Sequence, residues 1–368
     1  MDSLRDFFDR ACAAREPVVA AWIIATEGST YRKAGALMLF TEHERAGLLS
    51  GGCLEGDLHE HARALLTTLE SRASLHRYDS RGSDDPIWGL GLGCEGMMQV
   101  LLLRCDGLSH YQPLQSLLDA QDQRRPFACA IDLASGECVS VIQSLNNEDS
   151  VFPDDSTHTH PELWRAACAR LARSTDNPQM AGLDYLADRP DPLCFSFKSQ
   201  PPPSLLICGA GPDVDPVVFF ACTLGWQVTA VDHRPAYADP SRFTGRAQLH
   251  ALQSPDELSA SVSLGSFSAA LVMSHHLRAD GAYLAALAES DIPYIGLLGP
   301  AARRERLFAE LGPRADALSA RLRAPVGLDL GAQTAEEIAL AIIAEIQASL
   351  RGRIPRSFTT AIAHPYTK

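Results

Sequence analysis

The sequence predicts an α/β protein: an N-terminal mixed α+β domain followed by a C-terminal Rossmann-like, doubly wound parallel sheet domain. Three observations carry this reading. The chain has 368 residues, more than one hydrophobic core usually organises. Residues 1–142 are rich in short apolar runs joined by turn signals, the pattern of hairpins. From residue 205 onward apolar strands alternate with helical stretches, the pattern of a parallel sheet.

Taken in order, Leu4 to Ala14 has helical spacing with Leu4, Phe7, Phe8 and Cys12 on one face, and Pro17 ends it. Val18 to Thr26 is a strongly apolar strand, followed by the polar loop Glu27-Gly28-Ser29-Thr30-Tyr31-Arg32-Lys33-Ala34-Gly35. Ala36 to Thr41 and Ala46 to Leu49 form a hairpin around Glu42-His43-Glu44-Arg45. Ser50-Gly51-Gly52-Cys53-Leu54-Glu55-Gly56-Asp57 then leads into a helix over Leu58 to Leu69. Leu75 to Asp79 and Met97 to Leu103 are strands, and between them lies a glycine-rich loop holding Trp88, Gly91, Gly93 and Cys94. A long loop of that kind in a compact domain is usually functional. Pro113 to Gln121 is a helix, and Pro126 to Leu133 pairs with Cys138 to Ile142 across Ala134-Ser135-Gly136-Glu137.

Residues 143–203 read as a linker or insert with one helix, Pro161 to Arg173, ending in the stiff run Pro201-Pro202-Pro203. The second domain spans 204–350. Leu205 to Cys208 is a buried strand, Gly209-Ala210-Gly211 a tight turn, Pro212 to Leu224 a helix, and Val228 to Val231 the next strand, closed by Asp232. Further strands are Ala269 to Met273, Pro293 to Leu297 and Val326 to Leu330. Tyr283 to Glu289 is helical, and Arg303-Arg304 mark a basic helix start. Thr334-x-x-Glu337 is a capping box opening a helix with Ile338, Ile342 and Ile346 on one stripe. Residues 351–368 form a basic tail without an acid.

Composition removes several functions. A net charge of −13 argues against nucleic acid, whose phosphates need clustered Lys and Arg. No apolar run reaches membrane-spanning length, and the polar start Met1-Asp2-Ser3-Leu4-Arg5-Asp6 does not read as a signal peptide, so the expected location is cytoplasmic. The ten cysteines include no C-x-x-C pair, which removes zinc ribbons and thioredoxin-type motifs; no metal ligand set is predicted.

Two stretches carry chemistry. In the first, Gly51 and Gly52 let the backbone approach a ligand, and a helix start offers N–H groups to an anion. A thiol placed there, Cys53, gains thiolate character. The alternative is a tight turn with a small buried cysteine. The glycines around Cys94 allow that thiol to approach the backbone carrying Cys53; the two thiols then form a cofactor site or a redox pair. In the second stretch, Gly209-x-Gly211 with Asp232 matches two of the three dinucleotide-fingerprint glycines and its acid, Val214 replacing the third glycine, so NAD(P) binding is the competing reading, as an oxidoreductase. Asp213 and Asp215 oppose a pyrophosphate there. His275 and His276 follow a strand at the end where doubly wound sheets bind ligands, as acid–base groups, phosphate contacts or a helix cap.

Together these segments resemble the XdhC/CoxI family, the xanthine dehydrogenase accessory proteins. The match rests on residues 27–35, 50–57 and Gly91-Leu92-Gly93-Cys94, then on 209–213, Val231-Asp232-His233-Arg234-Pro235, Met273-Ser274-His275-His276, 294–299 and 327–334. One position departs: Glu95 stands where the family commonly has glycine. The resemblance implies a homodimeric chaperone that binds the molybdenum cofactor (molybdopterin). It shields the cofactor while a cysteine desulfurase installs the terminal sulfur, and hands it to a xanthine-dehydrogenase-type apo-subunit. On this basis Cys53 and Cys94 contact the cofactor, with Gly51, Gly52, Gly91, Gly93 and Arg32 around it. Molybdenum–sulfur chemistry suits soft thiolates, and the pterin phosphate suits Arg32 and Lys33.

Overall fold

The computed structural model describes residues 4–68, 71–79, 81, 96–133, 135–142, 181–185 and 192–356, in two compact units, Met1–Pro201 and Pro202–Lys368. The first unit begins with helix α1 (Leu4–Ala13) and strand β1 (Val18–Gly28), then β2 (Leu37–Phe40), β3 (Arg45–Gly47), helix α2 (Glu55–Thr67), β4 (Ala73–Asp79) and β5 (Gly96–Cys105). The strands form an antiparallel sheet ordered β3-β2-β1-β5-β4. After helix α3 (Leu114–Asp122) come β6 (Phe127–Asp132), β7 (Cys138–Ile142), β8 (Ala181–Tyr185) and β9 (Pro192–Ser199). These form a second antiparallel sheet, ordered β7-β6-β9-β8.

The central strand explains the layering. Val18 to Ile24 are all buried, because side chains alternate along a strand and both faces of β1 are covered. Val18, Ala20, Trp22 and Ile24 enter one core with Phe127, Cys129, Phe195 and Phe197 of the second sheet, together with Phe7 and Phe8 of α1. Val19, Ala21 and Ile23 enter another with Leu54, Leu58, Ala62 and Leu65 at α2. Trp22 packs on Phe197 in a tilted pair, 5.7 Å between ring centroids. Truncating either ring to alanine costs about 3–5 kcal/mol at such buried sites. An irregularity between Ile23 and Ala25 shifts the β1–β5 register, and bulges of this kind re-aim a strand end.

The stretch 143–203 differs from the sequence reading. Two of its segments are β8 and β9, and β9 pairs with β6 in the middle of a sheet. Phe195 and Phe197 alternate with Cys194 and Ser196, but the run is short and its partner lies far away along the chain. The helix expected over 161–173 lies outside the described residues, as does the tail beyond Arg356.

The second unit holds β10 (Ser204–Cys208), helix α4 (Val214–Thr223), β11 (Gln227–Asp232), β12 (Gln248–Ala251), the short α5 (Leu258–Ser261), β13 (Ala269–Val272), α6 (Leu277–Ala288), β14 (Ile295–Leu297), α7 (Ala301–Leu311), α8 (Arg314–Ser319), β15 (Leu322–Arg323) and α9 (Ala335–Leu350). Its sheet is parallel and ordered β12-β11-β10-β13-β14-β15. Strand order reverses between β10 and β13, which opens a crevice at their C-terminal ends. Val214, Val217 and Val218 of α4 pack with Ile342 and Ile346 of α9 on one face, while Tyr283, Leu284 and Leu287 of α6 cover the other. The Thr334–Glu337 capping box forms as predicted. The strand expected over Val326 to Leu330 does not form; β15 precedes it. Pro325 supplies no N–H to a ladder, and Gly327 at φ +106° turns its N–H to the Glu345 carboxylate at 2.9 Å. Arg303 lies inside α7 and pairs with Asp280 of α6. No helix among the described residues is long and apolar enough to cross a membrane.

Candidate functional site

The Gly51–Gly52 turn follows β3 and opens α2. Both glycines have positive φ, +80° and +112°, values that L side chains rarely adopt. The open N–H cradle expected here is already filled. Glu55, 1% exposed, turns its carboxylate back under the loop. Its Oε1 accepts the N–H groups of Leu49 and Ser50 at 3.0 and 2.8 Å. Its Oε2 accepts those of Gly52 and Leu54 at 3.0 and 3.2 Å and the Ser50 hydroxyl at 2.6 Å. Burial alone would raise the Glu55 carboxyl; these hydrogen bonds outweigh it and hold it below the ordinary glutamate range. The anion of this turn is therefore the protein's own.

The consequence falls on Cys53. It sits between two fixed N–H groups and is exposed, which corrects the buried-thiol alternative. Among the described residues nothing lies within 4 Å of where a Cβ on Gly52 would stand, and the Tyr31 ring lies 3.7 Å from where one on Gly51 would stand. The Glu27–Gly35 loop thus adjoins the Cys53 turn. It presents Arg32, an exposed cation, and Lys33, whose Nζ donates to Thr30 Oγ1 at 3.2 Å. Gly96 opens β5 in register with Gly28; a Cβ there would lie 2.5 Å from the Ser29 carbonyl oxygen. Arg81 ties the ends of β1 and β4 through Glu27 at 2.6 Å and Asp79 at 2.7 Å. Gly91, Gly93 and Cys94, expected to meet Cys53, lie outside the described residues.

Sequence reasoning missed a cluster one turn along α2. Asp57 accepts the Tyr78 hydroxyl at 2.6 Å, and the His61 and His76 rings lie 4.0 Å apart. Burial, then Asp57, pushes the Tyr78 phenol upward; burial, then His61, pushes His76 downward. The Asp57–His61 spacing of one helical turn was the available signal.

In the second unit Gly209 is required by close approach: at φ +123°, a Cβ would meet the Met273 carbonyl oxygen at 2.7 Å. Most donors of the dinucleotide turn are engaged as well. Gly209 N–H donates to Val231, Val214 N–H to Gly211 and Asp215 N–H to Pro212, while Pro212 has none to give. Ala210 N–H donates to Asp232 at 2.7 Å. Asp232, the acid matched to the dinucleotide fingerprint, is fully buried and grips the Arg234 guanidinium at 2.7 and 3.0 Å. Burial would raise its carboxyl, and the Arg234 bonds outweigh that and lower it. Arg242 reaches the carbonyls of Ala210 and Gly211 and pairs with Asp215 at 2.8 Å. Val214, at the third glycine position, is buried in the core. His275 stands at φ +60° with Nε2 2.7 Å from Asp213, and His276 caps α6 by accepting the Ala279 N–H.

Two family models match the chain that carries this arrangement. Residues 11–79 match the XdhC and CoxI family, and residues 205–346 match the XdhC Rossmann domain. A protein of Bacillus subtilis (strain 168), described as a probable xanthine dehydrogenase subunit, is 33% identical over 350 residues, 94% of this chain and 97% of that protein. This chain belongs to the XdhC and CoxI family. Among solved structures, a xanthine dehydrogenase from Bacillus halodurans matches with a TM-score of 0.74 and 31% identity, covering 95% of this chain and 96% of the other. The XdhC match begins inside α1 and ends in β4, so it contains the whole Cys53 turn and its Glu55 lock.

Proposed function

We propose that this protein is an accessory factor for a xanthine-dehydrogenase-type enzyme, acting as a chaperone of the molybdenum cofactor. The cofactor is cargo rather than a resident group. The observation that carries the reading is an exposed, unbridged Cys53 on a turn that Glu55 holds and the Tyr31 ring adjoins, in a loop whose next residue is the exposed cation Arg32. A soft thiolate suits molybdenum and its sulfur. Because the Glu55 carboxylate already takes four of the turn's N–H groups and adds its own negative charge there, the pterin phosphate is assigned to Arg32 and Lys33 rather than to the start of α2. Cys94 is assigned as the second thiol contact.

In this reading the protein works in the cytoplasm as a homodimer, holds the cofactor away from water while a cysteine desulfurase adds the terminal sulfur, and delivers it to the apo-subunit. The competing reading, an NAD(P)-dependent oxidoreductase, is weakened by the turn at Gly209–Gly211, where most donors and the acid already have partners within the chain. The test is to purify the protein from cells making molybdopterin and to assay pterin and molybdenum. Wild type should carry both, and Cys53→Ser, Cys94→Ser and Arg32→Ala should carry less at unchanged fold. Wild type free of both, or Ser variants loaded like wild type, would remove the proposal.

A further inference from the structure

The crevice between the ends of β10 and β13 contains a cavity of about 640 Å³, within the range of small-molecule sites. Its inner wall is apolar, built from Val217 of α4, Met273, Leu298 and residues Ile338 and Ile342 of α9. Its polar lining is Asp213, His275 and Glu336, with neither Lys nor Arg among the described residues that line it. His275 is held in the left-handed region, where a non-glycine residue at a ligand crevice signals a position kept for function. Its neighbours fix it: Ser274 donates its N–H and hydroxyl to the buried Asp280, and His276 caps α6.

We infer that this cavity binds a flat, nitrogen-rich heterocycle of nucleobase or nucleoside size that carries no phosphate. The inference is independent of the chaperone reading. Two carboxylates are acceptors only, so the ligand edge facing them must donate N–H. The apolar wall takes its face. The rim is net negative whether His275 is charged or neutral, and the turn beside it has few N–H groups left to bind an anion. A phosphate attached to the ligand would therefore be repelled where a dinucleotide enzyme would bind it.

Titration calorimetry of the full chain with adenosine, AMP and ADP tests this. Adenosine should bind saturably, and affinity should fall roughly two- to fivefold for each phosphate added. Asp213→Asn and Glu336→Gln, both at the rim, should shrink the adenosine-to-ADP ratio. Ala335→Trp, which places a ring at the partly exposed lining of the cavity, should abolish adenosine binding, with circular dichroism establishing that it folds; if it does not, the two rim variants decide. Tighter binding of ADP than adenosine, ratios unmoved by both rim variants, or no binding of adenosine at millimolar concentration would overturn the inference.

Discussion

Two turns in this molecule share one local plan. Each joins a strand to a helix through two glycines, and each has an acidic side chain that accepts backbone N–H from the turn: Glu55 from four groups at Gly51–Gly52, Asp232 from Ala210 at Gly209–Gly211. They part in what surrounds the acid. Among the described residues Glu55 has no cation as a hydrogen-bond partner and is satisfied by four N–H groups and a hydroxyl, which leaves a thiol facing outward. Asp232 is forked to Arg234, and Arg242 covers the carbonyls of the turn. The same motif therefore presents chemistry in one unit and seals it in the other. Glycine spacing alone does not distinguish an anion site from a turn that supplies its own anion.

The largest effect that sharpens this contrast is expected from Glu55→Ala. Each buried donor left unsatisfied costs about 1–3 kcal/mol, so removing this acceptor should destabilise the first unit by about 3 kcal/mol or more. A urea transition read by tryptophan fluorescence in a Trp226→Phe background, which removes the second unit's tryptophan, measures it. Asp232→Asn should cost about 2 kcal/mol in the second unit. That lies below the 3–5 kcal/mol of a fully buried broken pair, because the Arg234 side chain stays 28% exposed. If the second loss exceeded the first, the contrast between the turns would fail.

Acid should separate wild type from Glu55→Gln. The Glu55 carboxyl is depressed in the folded state, so its stabilisation is complete above the unfolded value near 4.5 and is lost as pH falls through the folded value. The melting temperature of wild type should therefore drop more steeply below pH ~4.3 than that of the Gln variant, the difference being the measurement. The smallest effect is expected from Asp213→Asn. The His275 side chain is 56% exposed, and exposed pairs contribute about 0–1 kcal/mol, so thermal stability should barely move.

Much of this was legible because it is local. The Thr334–Glu337 box and the pairing of β6 with β7 across a short turn are decided within a few residues, and both are legible in the sequence. The pairing of β9 with β6 was not, since nothing in Phe195 and Phe197 names a partner more than sixty residues away. Strand β12 was missed for a related reason: Gln248-Leu249-His250-Ala251 is four residues long and half polar. At the site, the sequence located Cys53, Gly51 and Gly52, while Glu55 looks there like one more acid in the first turn of a helix. Its true role depends on a side chain folding back under its own loop, a tertiary fact that charge patterning cannot reveal. Asp232 repeats the lesson, since a fingerprint acid looks the same whether it faces a ribose or an arginine.

The most direct measurement is the rate of alkylation at Cys53, followed by peptide mass spectrometry with and without bound cofactor. The buried Cys105, Cys129, Cys194 and Cys208 serve as internal references that should not react. Rapid modification of Cys53 in cofactor-free protein and strong protection after loading is the predicted result. Equal rates in both states would contradict the assignment of this turn as the place where the cargo is held.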